Sequence, residues 1–210
     1  MGRDGKDGKD EIDVNRRKLL FGFMGKLRGE TEAVPMASAS QTAPILAAAN
    51  AAFAAGTFEA AADQYREFLK HESENVEARQ RLGESLYSLG KYIQAKVEFE
   101  RIMQKNRGSN RAILFLGLVL ARLDRVPKAA VVWKLFFDPH SVALQRELNL
   151  QIALVEAATE AAAEAAAEAA ANEGTDGEGA ESESGDGLPD GVQVAEAVER
   201  ALAAQNSAQA

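Results

Sequence analysis

From Thr42 to about Phe137 the apolar residues recur at helical spacing in consecutive blocks, with turn residues between them. Residues 43–55 predict one helix, closed by Gly56, which can take the left-handed backbone conformation without a Cβ penalty. Residues 59–71 predict a second, with Phe58, Ala61, Ala62, Tyr65, Phe68 and Leu69 on one face. Leu82, Gly83, Leu86, Gly90, Tyr92, Ala95, Phe99, Ile102 and Met103 repeat those offsets. So do Leu116, Gly117, Leu120, Asp124, Val126, Ala129, Trp133, Phe136 and Phe137. Each block is therefore a pair of helices. A further helix is predicted from Asp138-Pro139, an N-cap followed by Pro at the first helical position, with Leu144, Leu148, Ile152 and Val155 as its apolar stripe. Residues 192–204 predict a short amphipathic helix with Val194, Val198 and Leu202 on one side, and the neighbouring sequence offers it nothing to pack on.

The blocks share a register of 34 residues. Ala49, Gly83 and Gly117 form one column, Ala61, Ala95 and Ala129 another, Tyr65, Phe99 and Trp133 a third, and Phe68, Ile102 and Phe136 a fourth. One such unit cannot bury its apolar face, whereas a stack of three can. The small columns are read as points where two helices approach closely. The large residues at 65, 99 and 133 are read as filling toward the next unit. In the third unit Asp124 replaces the turn glycine and Pro127 opens the second helix.

These columns resemble the tetratricopeptide repeat family, in three units over 42–137, with Ser73 and Arg107 where the family usually carries Pro. The resemblance implies an all-α fold. It would be a right-handed α-solenoid of three helix-turn-helix units with a C-terminal capping helix and disordered tails. It also implies a concave groove lined by the first helix of each unit, in which a partner segment binds. The expected groove residues are Leu46, Asn50 and Phe53, then Arg81, Glu84 and Tyr87, then Arg111, Leu114, Phe115, Leu118 and Arg122. Some family members clamp the C-terminal carboxylates of heat-shock chaperones with two Lys, two Asn and an Arg. The matching positions here are Leu46, Asn50, Arg81, Arg111 and Phe115, which argues against that ligand. The mixture of apolar residues with three arginines suits an apolar helix or extended segment with an acidic flank. Leu114 and Leu118 share a face offset from the Leu116/Leu120 core column, which favours a groove role for both.

The net charge of −8 is unevenly spread. Residues 150–210 hold Arg200 alone against thirteen acids, while the repeat region is near neutral. A near-neutral stack gives no basis for nucleic-acid binding. Four parts follow: residues 1–41, expected to be disordered; 42–155, the repeats with their capping helix; 156–173, an Ala/Glu-rich helical extension; and 174–210, an acidic disordered linker with the short amphipathic helix. Within the first, residues 14–28 combine basic and large apolar residues. Arg16, Arg17, Lys18, Leu19, Leu20, Phe21 and Phe23 are the expected tether to a partner, to a membrane surface or to the stack itself. Asn15 to Leu20 also resembles a twin-arginine export signal, but Lys26, Arg28, Glu30 and Glu32 interrupt the apolar stretch such a signal needs.

The chain has no cysteine and only His71 and His140 as histidines, and it lacks a phosphate-binding glycine loop. No catalytic residue, metal or cofactor is expected, and neither is an enzyme. The expected function is a non-catalytic protein-interaction scaffold in the cytoplasm. The alternative is a membrane-peripheral or exported assembly factor directed by residues 14–28. Both the 192–204 helix and residues 19–27 are apolar and without a partner, so either could occupy the groove until a partner displaces it.

Overall fold

The computed structural model describes residues 39–172 and 187–208. The segment 14–28, its tether residues and most of the acidic linker lie outside the described residues. Eight helices follow one another among the described residues: α1 (Ala39–Ala54), α2 (Phe58–His71), α3 (Val76–Ser88), α4 (Tyr92–Lys105), α5 (Asn110–Arg122), α6 (Val126–Trp133), α7 (Val142–Asn172) and α8 (Gly191–Ala208). From α2 to α8 each helix packs on its neighbour in the chain, and α8 also packs on α5. The first six form three hairpins, giving an α-solenoid continued by α7.

The three hairpin turns are built alike. Gly56, Gly90 and Asp124 have φ of 73°, 70° and 55°. At each, two backbone bonds close the preceding helix. Gly56 N–H donates to Phe53 and Thr57 N–H to Ala52, both at 3.0 Å. Gly90 and Lys91 donate to Tyr87 and Leu86, and Asp124 and Arg125 to Ala121 and Leu120. This paired closure requires a left-handed residue. Asp124 adopts it as the glycines do, since Asp is one of the few side chains that tolerate the conformation. Pro127 then sits in the first turn of α6. The hairpins are also joined alike: the Asn75 and Ser109 side chains, 34 positions apart, cap α3 and α5 by accepting from the Ala78 and Ala112 amides.

Small residues lie beneath large ones inside the second and third hairpins. A Cβ on Gly83 would stand 2.7 Å from Phe99 Cζ, and one on Gly117 would overlap the Trp133 indole. Trp133 is fully buried, and its Nε1 donates to the Leu114 carbonyl at 3.1 Å. The aromatic column thus fills the space above the small residue of its own unit, which corrects the expectation that it reaches mainly toward the next. Phe99 does both, since its other side stacks on Phe115 at 5.6 Å between centroids.

The helix after the repeats begins later than Asp138. The Asp138 carboxylate accepts from the His140 amide at 3.0 Å and the Ser141 hydroxyl at 2.5 Å, holding Pro139 and His140 in a turn. These two bonds keep the Asp138 carboxyl below its ordinary range, the Ser141 hydroxyl contributing most. Ser141 takes the N-cap position, its carbonyl accepting the first helical bond from Gln145 at 2.8 Å. Leu144, Leu148, Ile152 and Val155 of α7 are buried against the stack, and beyond Thr159 its side chains are exposed as far as Ala171.

Candidate functional site

The first helices of the hairpins, α1, α3 and α5, carry all the expected groove residues. On α1, Leu46 and Phe53 are half-buried and Asn50 is exposed. Asn50 Oδ1 accepts from the Tyr65 hydroxyl at 2.6 Å, so this amide is engaged within its own hairpin. Phe53 meets Phe58 and Tyr65 edge-on, with centroids 5.7 and 6.4 Å apart. Over its ring, 4.8 Å from the centroid, lies the Arg81 guanidinium of α3. This cation–π contact links the first two hairpins across the face.

Glu84 is the buried charge of the site, at 3% exposure. Arg111 of α5 meets it in a two-bond fork, Nε to Oε1 at 2.6 Å and Nη2 to Oε2 at 2.9 Å. Gln80 adds a donor at 3.2 Å. The Glu84 bond is the main reason that the Arg111 pKa is raised. Arg111 also lies 5.7 Å from the Phe115 centroid, and Phe115 meets Tyr87 edge-on at 5.8 Å. Tyr87 in turn packs on Tyr92 at 5.4 Å. An aromatic and ionic ladder thus binds α3 to α5 and continues to Arg122.

At Arg122 the ladder meets α8, a helix that the local sequence left without a partner. Arg122 Nη2 donates to both oxygens of Glu199, at 2.9 and 2.8 Å, and Tyr87 Oη donates to the same carboxylate. Glu196 stands 4.0 Å from Arg122. Burial, followed by the bond to Glu199, pushes the Tyr87 hydroxyl well above its ordinary range. Burial works against the Arg122 charge, but its bonds to Tyr87 and Glu199 outweigh that and raise its pKa. Tyr87 therefore remains a neutral donor and Arg122 a cation throughout the neutral range.

Leu114 and Leu118 are 3% and 0% exposed. Both are inside the packed structure, so neither offers free surface. Arg122 shares a stripe with Leu118, one turn away, and α8 lies against α5 there. Sequence reasoning did not single out Glu196 and Glu199. The available signal was their position beside the Val194/Val198 stripe, opposite in sign to the groove arginines.

The described residues define a helical-repeat protein, with no candidate metal cluster and no helix long and apolar enough to cross a membrane among them. Residues 52–116 match a family model described as tetratricopeptide repeat. Together with the series of helical hairpins, this match supports a protein of the tetratricopeptide repeat family. No curated protein and no solved structure matches it. Tetratricopeptide repeats generally mediate protein–protein interaction.

Proposed function

We propose that the protein is a non-catalytic scaffold that receives a partner segment on the face formed by α1, α3 and α5. The observation that carries this reading is Arg81. Its neighbours Arg111 and Arg122 are paired with Glu84 and Glu199, whereas no carboxylate pairs with Arg81 among the described residues. It lies half-buried over Phe53. An available cation on an aromatic platform suits an apolar segment with an acidic flank. Arg81→Glu in the full chain is expected to reduce recovery of the captured partner about tenfold in quantitative cross-linked pull-downs. Unfolding stability should fall by only about 1 kcal/mol, the worth of the lost cation–π contact. Equal recovery from both proteins would overturn the assignment.

The basic-apolar residues 14–28 are proposed as the tether that sets where in the cytoplasm the stack works, with an anionic membrane surface as its target. Arg16, Arg17 and Lys18 supply the charge, and Leu19, Leu20, Phe21 and Phe23 the apolar anchor. At about 1 kcal/mol per basic residue near such a surface, exchanging Arg16 and Arg17 for Gln should weaken binding to phosphatidylserine vesicles about 30-fold. Sedimentation with vesicles measures this, and absence of binding by the parent chain would refute the membrane target.

A further inference from the structure

α8 has the composition of a ligand more than that of a core element. Its buried residues are Gly191, Val194, Ala195 and Val198, none larger than valine. The hairpins by contrast are filled by Tyr65, Phe99 and Trp133. Gly191 allows close approach, since a Cβ there would overlap the Ala121 carbonyl at the end of α5. One carboxylate, Glu199, is held by Arg122 and Tyr87. Farther along, Gln205 donates to the Ser141 hydroxyl at the start of α7. Between α7 and α8 the sequence is rich in Gly and acids, and Leu188 is its one large apolar residue. Without α8, the end of α5 and Val126 would lie uncovered next to an unpaired guanidinium, with the Tyr87 hydroxyl alongside. Such a surface is complementary to an acidic amphipathic helix.

We infer that α8 is an internal occupant of the binding face, and that the partner is an amphipathic helix of the same chemistry that displaces it. The partner helix carries small apolar residues at i, i+1 and i+4 and a carboxylate at i+5, as Val194, Ala195, Val198 and Glu199 do. The inference rests on the proposed interaction function and specifies the partner for that face. Because α8 is tethered, it competes at an effective concentration of about the millimolar range. A partner in trans must outcompete it, so the tail sets an affinity threshold for entry.

The test uses the full chain and a fluorescent peptide of residues 188–208. Val198→Asp places a carboxylate at a fully buried position of α8 and should undock it, while Glu199→Arg breaks the clamp from the half-exposed side. Both variants are expected to bind the peptide at least about tenfold more tightly than the parent by anisotropy. Adding Arg122→Glu should remove that gain, and a peptide carrying Glu199→Arg should restore it. Trp133 fluorescence, from the sole tryptophan, reports whether the stack stays folded. Peptide affinity equal in parent and variants, with α8 amides exchanging as slowly as those of α7 in both, would overturn the inference. A parent dimer that becomes monomeric in Val198→Asp would also overturn it, because the occupant would then be a second copy's α8. If the peptide fails to bind but partner capture remains sensitive to Arg81→Glu, this inference falls and the scaffold reading stands. If the peptide binds as expected but capture ignores Arg81, the reverse holds.

Discussion

Gly117→Ala is expected to destabilise the protein by about 3 kcal/mol, near the upper end of what overpacking costs. The added methyl would overlap the indole Nε1, Cε2 and Cδ1 of Trp133. The indole cannot withdraw freely, because it is fully buried and its Nε1 donates to the Leu114 carbonyl of the same hairpin. Either that bond breaks or α5 and α6 separate. Gly83→Ala meets a milder obstacle, the Phe99 ring edge at 2.7 Å, and should cost about 1–2 kcal/mol. Urea unfolding of both variants checks the order. Combining Gly117→Ala with Trp133→Phe should cost less than the sum of the two single changes, since the smaller ring leaves room for the methyl. A Gly117→Ala variant within about 0.5 kcal/mol of the parent would show that the hairpin is looser than its packing indicates.

Arg111→Ala should lower stability by about 2 kcal/mol. It leaves the buried Glu84 carboxylate with only the Gln80 amide as a close donor. Removing one partner of a fully buried pair costs about 3–5 kcal/mol. Here the loss is smaller, because the Arg111 side chain is 49% exposed and water can follow it out. Glu84→Gln in the Arg111→Ala background should recover part of the loss by neutralising the stranded charge. A double-mutant cycle in denaturant measures the coupling. Additive losses would mean that the fork between α3 and α5 contributes no specific energy.

The repeat register was legible because each hairpin solves the same packing problem with local means. Glycine or aspartate at 56, 90 and 124 allows the turn, and small and large residues recur in fixed columns on each pair of helices. All of these act over short stretches of chain, so spacing reveals them. The start of α7 was not legible. Asp138-Pro139 reads as a cap and first turn, and only the bonds from His140 and Ser141 to the Asp138 carboxylate show that it closes a separate turn.

The face of the stack was legible in membership but not in state. Phe53, Arg81, Glu84, Tyr87, Arg111, Phe115 and Arg122 could be named from the repeat offsets. That Arg111 and Arg122 are committed while Arg81 is not depends on which carboxylates arrive, and one of these, Glu199, stands 77 positions away from Arg122. Leu114 and Leu118 are buried for a related reason: α5 is enclosed by neighbours on several sides, α8 among them.

The sequence alone therefore determined the repeating unit, its helical hairpins and the side chains available on the face, because each follows from short-range periodicity and turn chemistry. Only the tertiary structure decided which of those side chains are spent and which are open. That choice depends on pairing between segments far apart in the chain, above all the seating of α8 on Arg122 and Tyr87, and periodicity carries no information about such pairings.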